Sequence, residues 1–182
     1  MSYRVIEKQI IYDGQKVRLE LHRLENDQTH RQSKREVCVH PGAVVVLPLL
    51  GDGRVMLIRT RRYAVGQVML ELPAGTLEKG EDPINCAGRE LQEETGYVAK
   101  RLLPIGNFFT SPGILSEKMY AYAAYDLTET KQTLEEGEEI ERHPVLLQEA
   151  IAMCGDGRIV DGKTIATLLM FERFHRQRLA KA

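Results

Sequence analysis

Two short apolar runs, Ala43–Leu47 and Val55–Ile58, stand on either side of Gly51-Asp52-Gly53. Each is continuous rather than alternating, and both are rich in β-branched residues. Strands of this kind are buried on both faces, so the chain must supply a covering layer on each side of a sheet. The rest of the sequence provides the layers. Residues 83–95 have helical spacing, Tyr120–Tyr125 reads as a further strand, and two helices, about 146–153 and 163–178, flank Gly155-Asp156-Gly157. Strands interleaved with helices indicate an α/β core with a mixed sheet.

Residues 3–40 have a different pattern. Val5, Ile10 and Ile11 precede Tyr12-Asp13-Gly14-Gln15, and Val17, Leu19 and Leu21 alternate after it. An Asp-Gly pair between such runs signals a hairpin. Glu25–Ser33 reads as a second turn, and Glu36–Val39 resumes extended structure. A small antiparallel β subdomain over residues 1–40 is expected, followed by the main domain over 41–182. About three strands bury one face only, so this piece leans on something else.

At 182 residues the chain has room for one such domain. Its 25 lysines and arginines nearly balance 26 aspartates and glutamates. That excludes the strong basic field of a general nucleic-acid binder, whose pI lies above ~9. The longest apolar stretch, Ala43–Leu50, contains Pro48 and falls well short of the ~20 residues of a membrane span. The first ten residues lack an apolar signal core. Cys38, Cys86 and Cys154 have neither metal-ligand nor disulfide-framework spacing. A soluble, cytoplasmic protein is expected.

The chemistry lies between Gly75 and Tyr97. Asp82 is a good helix N-cap, Pro83 suits the first helical position, and Gly96 is a natural stop. On this helix Ile84, Ala87 and Leu91 fall within roughly 60° and form the expected core face. Glu90, Glu93 and Glu94 fall within an adjacent arc of roughly 100°. Carboxylates crowded beside a buried face call for a cation. An oxygen-only donor set selects Mg²⁺ or Mn²⁺, whose open positions are commonly filled by phosphate oxygens. The loop Gly75–Gly80 can bring backbone close to a diphosphate. The competing reading is a solvated acidic helix face with Arg89 and Glu93 as an ordinary i, i+4 pair.

The spacing decides between them. Gly75, Glu81, Arg89-Glu90-Leu91, Glu93-Glu94 and Gly96-Tyr97 match the Nudix box at nine constrained positions over 23 residues. The chain therefore resembles the Nudix hydrolases, which cleave a nucleoside diphosphate linked to another group. The resemblance implies an α/β/α sandwich and divalent metal ions held by Glu90, Glu93 and Glu94 with the backbone carbonyl of Ala74. It also implies that Arg89 orients the box through ion pairs.

Outside the box, several segments are similar to the branch that hydrolyses ADP-ribose and other nucleoside diphosphate sugars. They are Glu71-Leu72-Pro73-Ala74-Gly75, Ser111-Pro112-Gly113 with Pro112 16 residues beyond Gly96, Arg35-Glu36-Val37 before His40-Pro41-Gly42-Ala43, and Gly157 to Thr164. This likeness implies substrate contacts from Arg35, Arg62, Glu117, Ser111, Pro112 and Gly113, with Glu117 suited to sugar hydroxyls. It implies a water-orienting glutamate in the acidic run 135–141. Glu138 matches best, with Glu136 and Glu139 as rivals and Glu93 as the alternative base. Relatives commonly carry Glu-Gln-Tyr-Arg where this chain has Arg59-Thr60-Arg61-Arg62, so only Arg62 is kept; Arg59 and Arg61 could equally belong to a solvent-facing edge strand. Relatives are homodimers, which implies a two-fold dimer built through the N-terminal strands. The alternatives are a catalytically silent nucleotide sensor of the same fold, or a pyrophosphatase acting on coenzyme A or a nucleoside triphosphate.

Overall fold

The computed structural model describes residues 2–176. The chain divides into two compact units, one formed by the residues up to Gly42 with Phe109–Lys118, the other by Ala43–Phe108 with the residues from Met119 onward.

The first unit carries a three-stranded antiparallel sheet, β1 (Tyr3–Asp13), β2 (Arg18–Asn26) and β3 (Gln32–Val39). Gly14 donates to the Val17 carbonyl at 3.0 Å and closes the first hairpin. Asn26 builds the second turn by accepting from the amides of Gln28 and Thr29 on its side-chain oxygen. The alternation of Val17, Leu19 and Leu21 suggested one apolar face, but these three are only half-buried. The fully buried side chain of the central stretch is Glu20, which Arg18 and His22 bond at 2.8 and 2.7 Å. Every residue of β1 is exposed, including Val5, Ile10, Ile11 and Tyr12. The segment 109–118 belongs to this unit because it is clipped to the end of β3: Cys38 donates to the Ile114 carbonyl and Ser116 donates to the Cys38 carbonyl.

The second unit holds two sheets. One has the order β7-β4-β9-β8, from β4 (Ala43–Pro48), β7 (Ala74–Thr76), β8 (Tyr97–Phe109) and β9 (Lys118–Glu129); the other has β5 (Arg54–Arg62) between β6 (Gln67–Glu71) and β10 (Ile140–Leu146). The pairing of β4 with β9 is parallel and that of β4 with β7 antiparallel, which makes the sheet mixed. The continuous apolar run of β4 does what its composition requires. Val44 and Val46 pack with Ala87 and Leu91 of α1 (Pro83–Thr95), while Ala43, Val45 and Leu47 face the larger core. That core takes Leu57 from β5, Ala150 and Met153 from α2 (Leu147–Asp156), and Leu168 from α3 (Gly162–Met170). Each valine, leucine or methionine among them contributes about 1.5–3 kcal/mol on burial, and each alanine less.

Three sequence expectations change here. Ile84 is 41% exposed, because the buried arc of α1 is wider than the apolar residues suggest and centres between Ala87 and Glu94, leaving Ile84 at its rim in the first turn. Strand β5 is the middle strand of its sheet rather than an edge; Arg59 and Arg61 are exposed from its outer face. The last helix ends at Met170 and passes into a π-helical turn, Phe171–His175, so the expected end at 178 lies outside the described residues.

Candidate active site

Helix α1 begins and ends as its sequence requires. Asp82 caps it by accepting from the Ile84 amide at 3.1 Å, and Gly96 closes it at φ 71°. A Cβ on Gly96 would also strike the Gln132 amide and the Thr130 carbonyl at about 3 Å, so the strand that follows can turn off the helix only with glycine.

The helix presents Glu90 and Glu94 from within its buried face rather than beside it; the Glu90 side chain is 12% exposed and Glu94 is 4% exposed. Ala74 donates its amide to Glu94 Oε2 at 2.8 Å, fastening β7 to the helix. A Cβ on Gly75 would fall inside the Glu90 carboxylate, so only glycine admits that side chain to the strand. Burial is the main force on both acids. It pushes Glu94 up to about 8 against the Ala74 hydrogen bond, with the charges of Glu90 and Glu138 adding to it. Burial also raises Glu90, against Arg89 and with help from Glu93 and Glu138.

Arg89 is the hub of the ion pairs. It bonds Glu81 at 3.0 and 3.1 Å, Glu90 at 2.7 Å and Glu93 at 2.9 Å. Its hydrogen bonds hold Glu81 down to about 2. The guanidinium thus draws Glu90 and Glu93 together, and Glu81, which the sequence reading left without a role, anchors it.

Among the described residues no three acidic, imidazole or thiolate groups already converge as a metal cage. The donor chemistry still fits a hard divalent cation. Burial raises both Glu90 and Glu94, Arg89 is divided among Glu81, Glu90 and Glu93, and the carboxylates are oxygen donors. Glu90, Glu93, Glu94 and the Ala74 carbonyl are the groups that would hold it.

Beyond the helix, the loop carrying the acidic run is clasped to the end of α1. Gln132 Nε2 donates to the Glu94 carbonyl at 2.6 Å, and the Thr133 amide donates to the Glu93 carbonyl at 3.0 Å. This clasp brings Glu138 close enough for its charge to act on both Glu90 and Glu94. Glu138 is exposed, and its carboxylate accepts from the Glu135 amide at 3.0 Å. Its rivals Glu136 and Glu139 are exposed on the same loop.

Arg62 is held by Glu71 through two bonds of 2.8 and 2.7 Å. Glu71 is 1% exposed and also receives Lys163 Nζ, which reaches Asp161 at 2.9 Å. In the sequence Glu71 and Lys163 stand only as members of the motifs Glu71–Gly75 and Gly157–Thr164. The other residues of β6 are exposed or half-buried, so the apolar pattern of that strand carried no signal for a buried acid at Glu71.

The remaining expected contacts lie in the first unit. Arg35 is exposed on β3, paired in register with His22 and donating to the Lys34 carbonyl at 2.7 Å. Ser111, Pro112 and Gly113 form an exposed turn closed by the Ile114 and Leu115 amides on the Ser111 carbonyl. Glu117 accepts from Thr110 Oγ1 at 2.6 Å and lies 3.6 Å from His40 Nε2. The Gly42 amide donates to His40 Nδ1, which leaves Nε2 as the protonated nitrogen facing Glu117.

A strand–loop–helix that buries glutamates behind a glycine, on a mixed sheet covered on both faces, defines a class. The chain belongs to the Nudix family: the NUDIX domain model matches residues 39–168. Among its relatives is the ADP-ribose pyrophosphatase of Bacillus subtilis (strain 168), 38% identical over 166 residues that cover 90% of this chain and 89% of that protein. The GDP-mannose pyrophosphatase of Yersinia pestis (strain Pestoides F) is 37% identical over 143 residues, covering 74% and 71%. A crystal structure of an ADP compounds hydrolase matches the fold with a TM-score of 0.86 at 20% identity, covering 98% of this chain and 96% of that one.

Proposed function

We propose that this chain hydrolyses the diphosphate bond of ADP-ribose or a related nucleoside diphosphate sugar, releasing a nucleoside monophosphate and a sugar phosphate. The observation that carries the reading is the buried Glu94 beside the half-buried Glu90, packed against Ala74 and Gly75, with the one guanidinium that pairs Glu90 divided also between Glu81 and Glu93. The names of the B. subtilis and Yersinia relatives support a nucleoside diphosphate sugar as the substrate class. Mg²⁺ or Mn²⁺ is the proposed cofactor, held by Glu90, Glu93, Glu94 and the Ala74 carbonyl. When bound, such an ion neutralises diphosphate charge and lowers the pKa of water.

The chain's own residues supply the rest. Arg89 holds Glu90 and Glu93 in register, so the donor set forms without a search over rotamers. Arg62, Arg35, Ser111, Pro112, Gly113 and Glu117 are the proposed substrate contacts, the arginines for the diphosphate and Glu117 for sugar hydroxyls. Glu138 is the proposed base, with Glu93 its rival. Its clasped loop and its electrostatic reach to Glu90 and Glu94 favour Glu138, whereas Glu93 is already engaged by Arg89.

A panel of nucleoside diphosphate sugars assayed with Mg²⁺ and with Mn²⁺, scoring released monophosphate, tests the function. Turnover of coenzyme A or nucleoside triphosphates in preference to every sugar nucleotide, or binding with no turnover, would replace it by one of the alternatives. For the base, Glu138→Gln is expected to lower kcat by about one to two orders of magnitude with KM nearly constant. A raised KM alone would make Glu138 a binding residue. Full activity, together with a dead Glu93→Gln, would move the base onto the helix.

We further propose a cytoplasmic homodimer. The three cysteines are free thiols, which suits a reducing compartment. Strand β1 exposes Val5, Ile10, Ile11 and Tyr12, a long uncovered edge that a second copy would cover. No helix among the described residues is long and apolar enough to cross a membrane. Sedimentation at micromolar concentration should show twice the 20.7 kDa chain; a single-chain species would refute the dimer. If Arg35 serves the partner's site, mixing Arg35→Ala with Glu94→Gln chains should restore activity that neither has alone. No regain would confine each site to one chain.

A further inference from the structure

Glu71 is almost completely buried, yet it carries a charge and faces two cations. Arg62 donates Nε and Nη2 to its two oxygens, and Lys163 Nζ donates to Oε2. Burial pushes its pKa upward, but the bonds and charges of Arg62 and Lys163 outweigh that and hold it below the ordinary value. Lys163 is in turn shared with Asp161, which caps α3 by accepting from the Thr164 amide at 3.0 Å. Thr164 Oγ1 donates to Asp161 at 2.6 Å and accepts from the Leu72 amide at 2.8 Å. The stretch 71–74 is thereby pinned at three places: Glu71 by its cations, Leu72 by Thr164, and Ala74 by Glu94.

As a source of stability this is an inefficient arrangement. Buried ion pairs gain little over apolar side chains of the same volume, because desolvation cancels most of the attraction. What the arrangement does accomplish is orientation. Arg62 is 41% exposed, Nη1 makes no hydrogen bond among the described residues, and the guanidinium is close enough for its charge to act on Glu94. One edge of its fork is locked by Glu71, and Nη1 is the donor left over on a part-exposed guanidinium within electrostatic reach of Glu94. A bidentate lock on one edge presets the direction of the remaining donor.

We infer that Glu71 is a positioning residue: its buried carboxylate holds Arg62 in the orientation that receives the substrate's diphosphate, with Lys163 completing the charge balance that lets Glu71 stay ionised. The inference rests on the function proposed above. It predicts that Glu71 acts on substrate only through Arg62.

A double-mutant cycle read on ligand binding tests it. The probe is ADP, titrated calorimetrically in the presence of a chelator, so that turnover plays no part. Glu71→Gln keeps the shape and removes the charge; it should weaken ADP binding about tenfold, on the scale of losing one well-placed charged hydrogen bond. Arg62→Ala should weaken it by at least as much, and the double variant should bind no more weakly than Arg62→Ala alone. Wild-type affinity in Glu71→Gln, or losses that simply add in the double variant, would overturn the inference. A merely structural Glu71 would lower Tm and leave the affinity of the folded fraction unchanged. Should Glu71→Gln fail to fold with one unbalanced positive charge, the charge-balanced Glu71→Gln/Lys163→Met variant replaces it and should show the same loss; wild-type affinity there would again overturn it. If the wild type binds ADP but hydrolyses no sugar nucleotide, the proposed function falls while the cycle still decides the role of Glu71. If it binds no ADP, both fall.

Discussion

Replacing Glu94 by Gln lowers turnover by about two orders of magnitude or more, the scale of losing several kcal/mol of transition-state charge stabilisation. The fold survives, because Gln still offers an oxygen to the Ala74 amide and fills the same volume. Near-normal activity at saturating Mg²⁺ would remove Glu94 from the donor set. The same residue controls a pH dependence whose sign is fixed by its environment. Burial pushes Glu94 up to about 8 from an ordinary 4.5. Between those values the folded chain without added cation holds a proton that the unfolded chain has released. Stability therefore falls as pH rises through that window. A divalent cation needs the deprotonated carboxylate and displaces the proton, so added Mg²⁺ should raise Tm more at pH 8 than at pH 6. Thermal melts of wild type and Glu94→Gln, with chelator and with Mg²⁺, read this directly. A wild-type slope in Glu94→Gln would assign the effect to another group.

Gly75→Ala should separate folding from function. Its added methyl would occupy the space of the Glu90 carboxylate, which is the far end of a flexible side chain and can move aside. Moving it breaks the 2.7 Å bond to Arg89 and takes Glu90 away from Glu94. The expected result is a Tm within a few degrees of wild type and a turnover lowered by about a hundredfold, since a misplacement of about 1 Å costs on that order. A large fall in Tm with unchanged activity per folded molecule would mean that Glu90 is held for structural reasons. Unchanged activity would show that its carboxylate need not sit behind Gly75.

The local features of the site were legible because their causes are local. A capping aspartate, a proline at the first helical position and a glycine stop set α1 to within a residue, and the box spacing identified the glutamates on it. The buried run of β4 announced a sheet covered on both sides, because an uninterrupted apolar strand has no face to give to water. Expectations drawn from the pattern of apolar side chains fared worse. Ile84 lies outside the core, and Glu20, Glu71 and Glu94 lie inside it. Helical and strand periodicity assign charge to the surface, and two of these acids are admitted by a partner remote in sequence, Glu71 by Lys163, 92 positions on, and Glu94 by Ala74, 20 positions back, while Glu20 is met by Arg18 and His22 on its own strand.

What the sequence determined by itself is therefore the class of the chain and the helix that bears the carboxylates. These follow from interactions within a turn or two of chain, where spacing alone sets geometry. Tertiary structure decided which cation each acid faces. It placed Glu138 near Glu90 and Glu94 by clasping its loop to the end of α1, and it turned Arg62 toward Glu71. It also made the α3 N-terminus a brace for the strand that carries Ala74. The physical reason is that the electrostatics of a buried group depend on distance through space and on exclusion of water, and neither quantity is written in the order of residues along the chain.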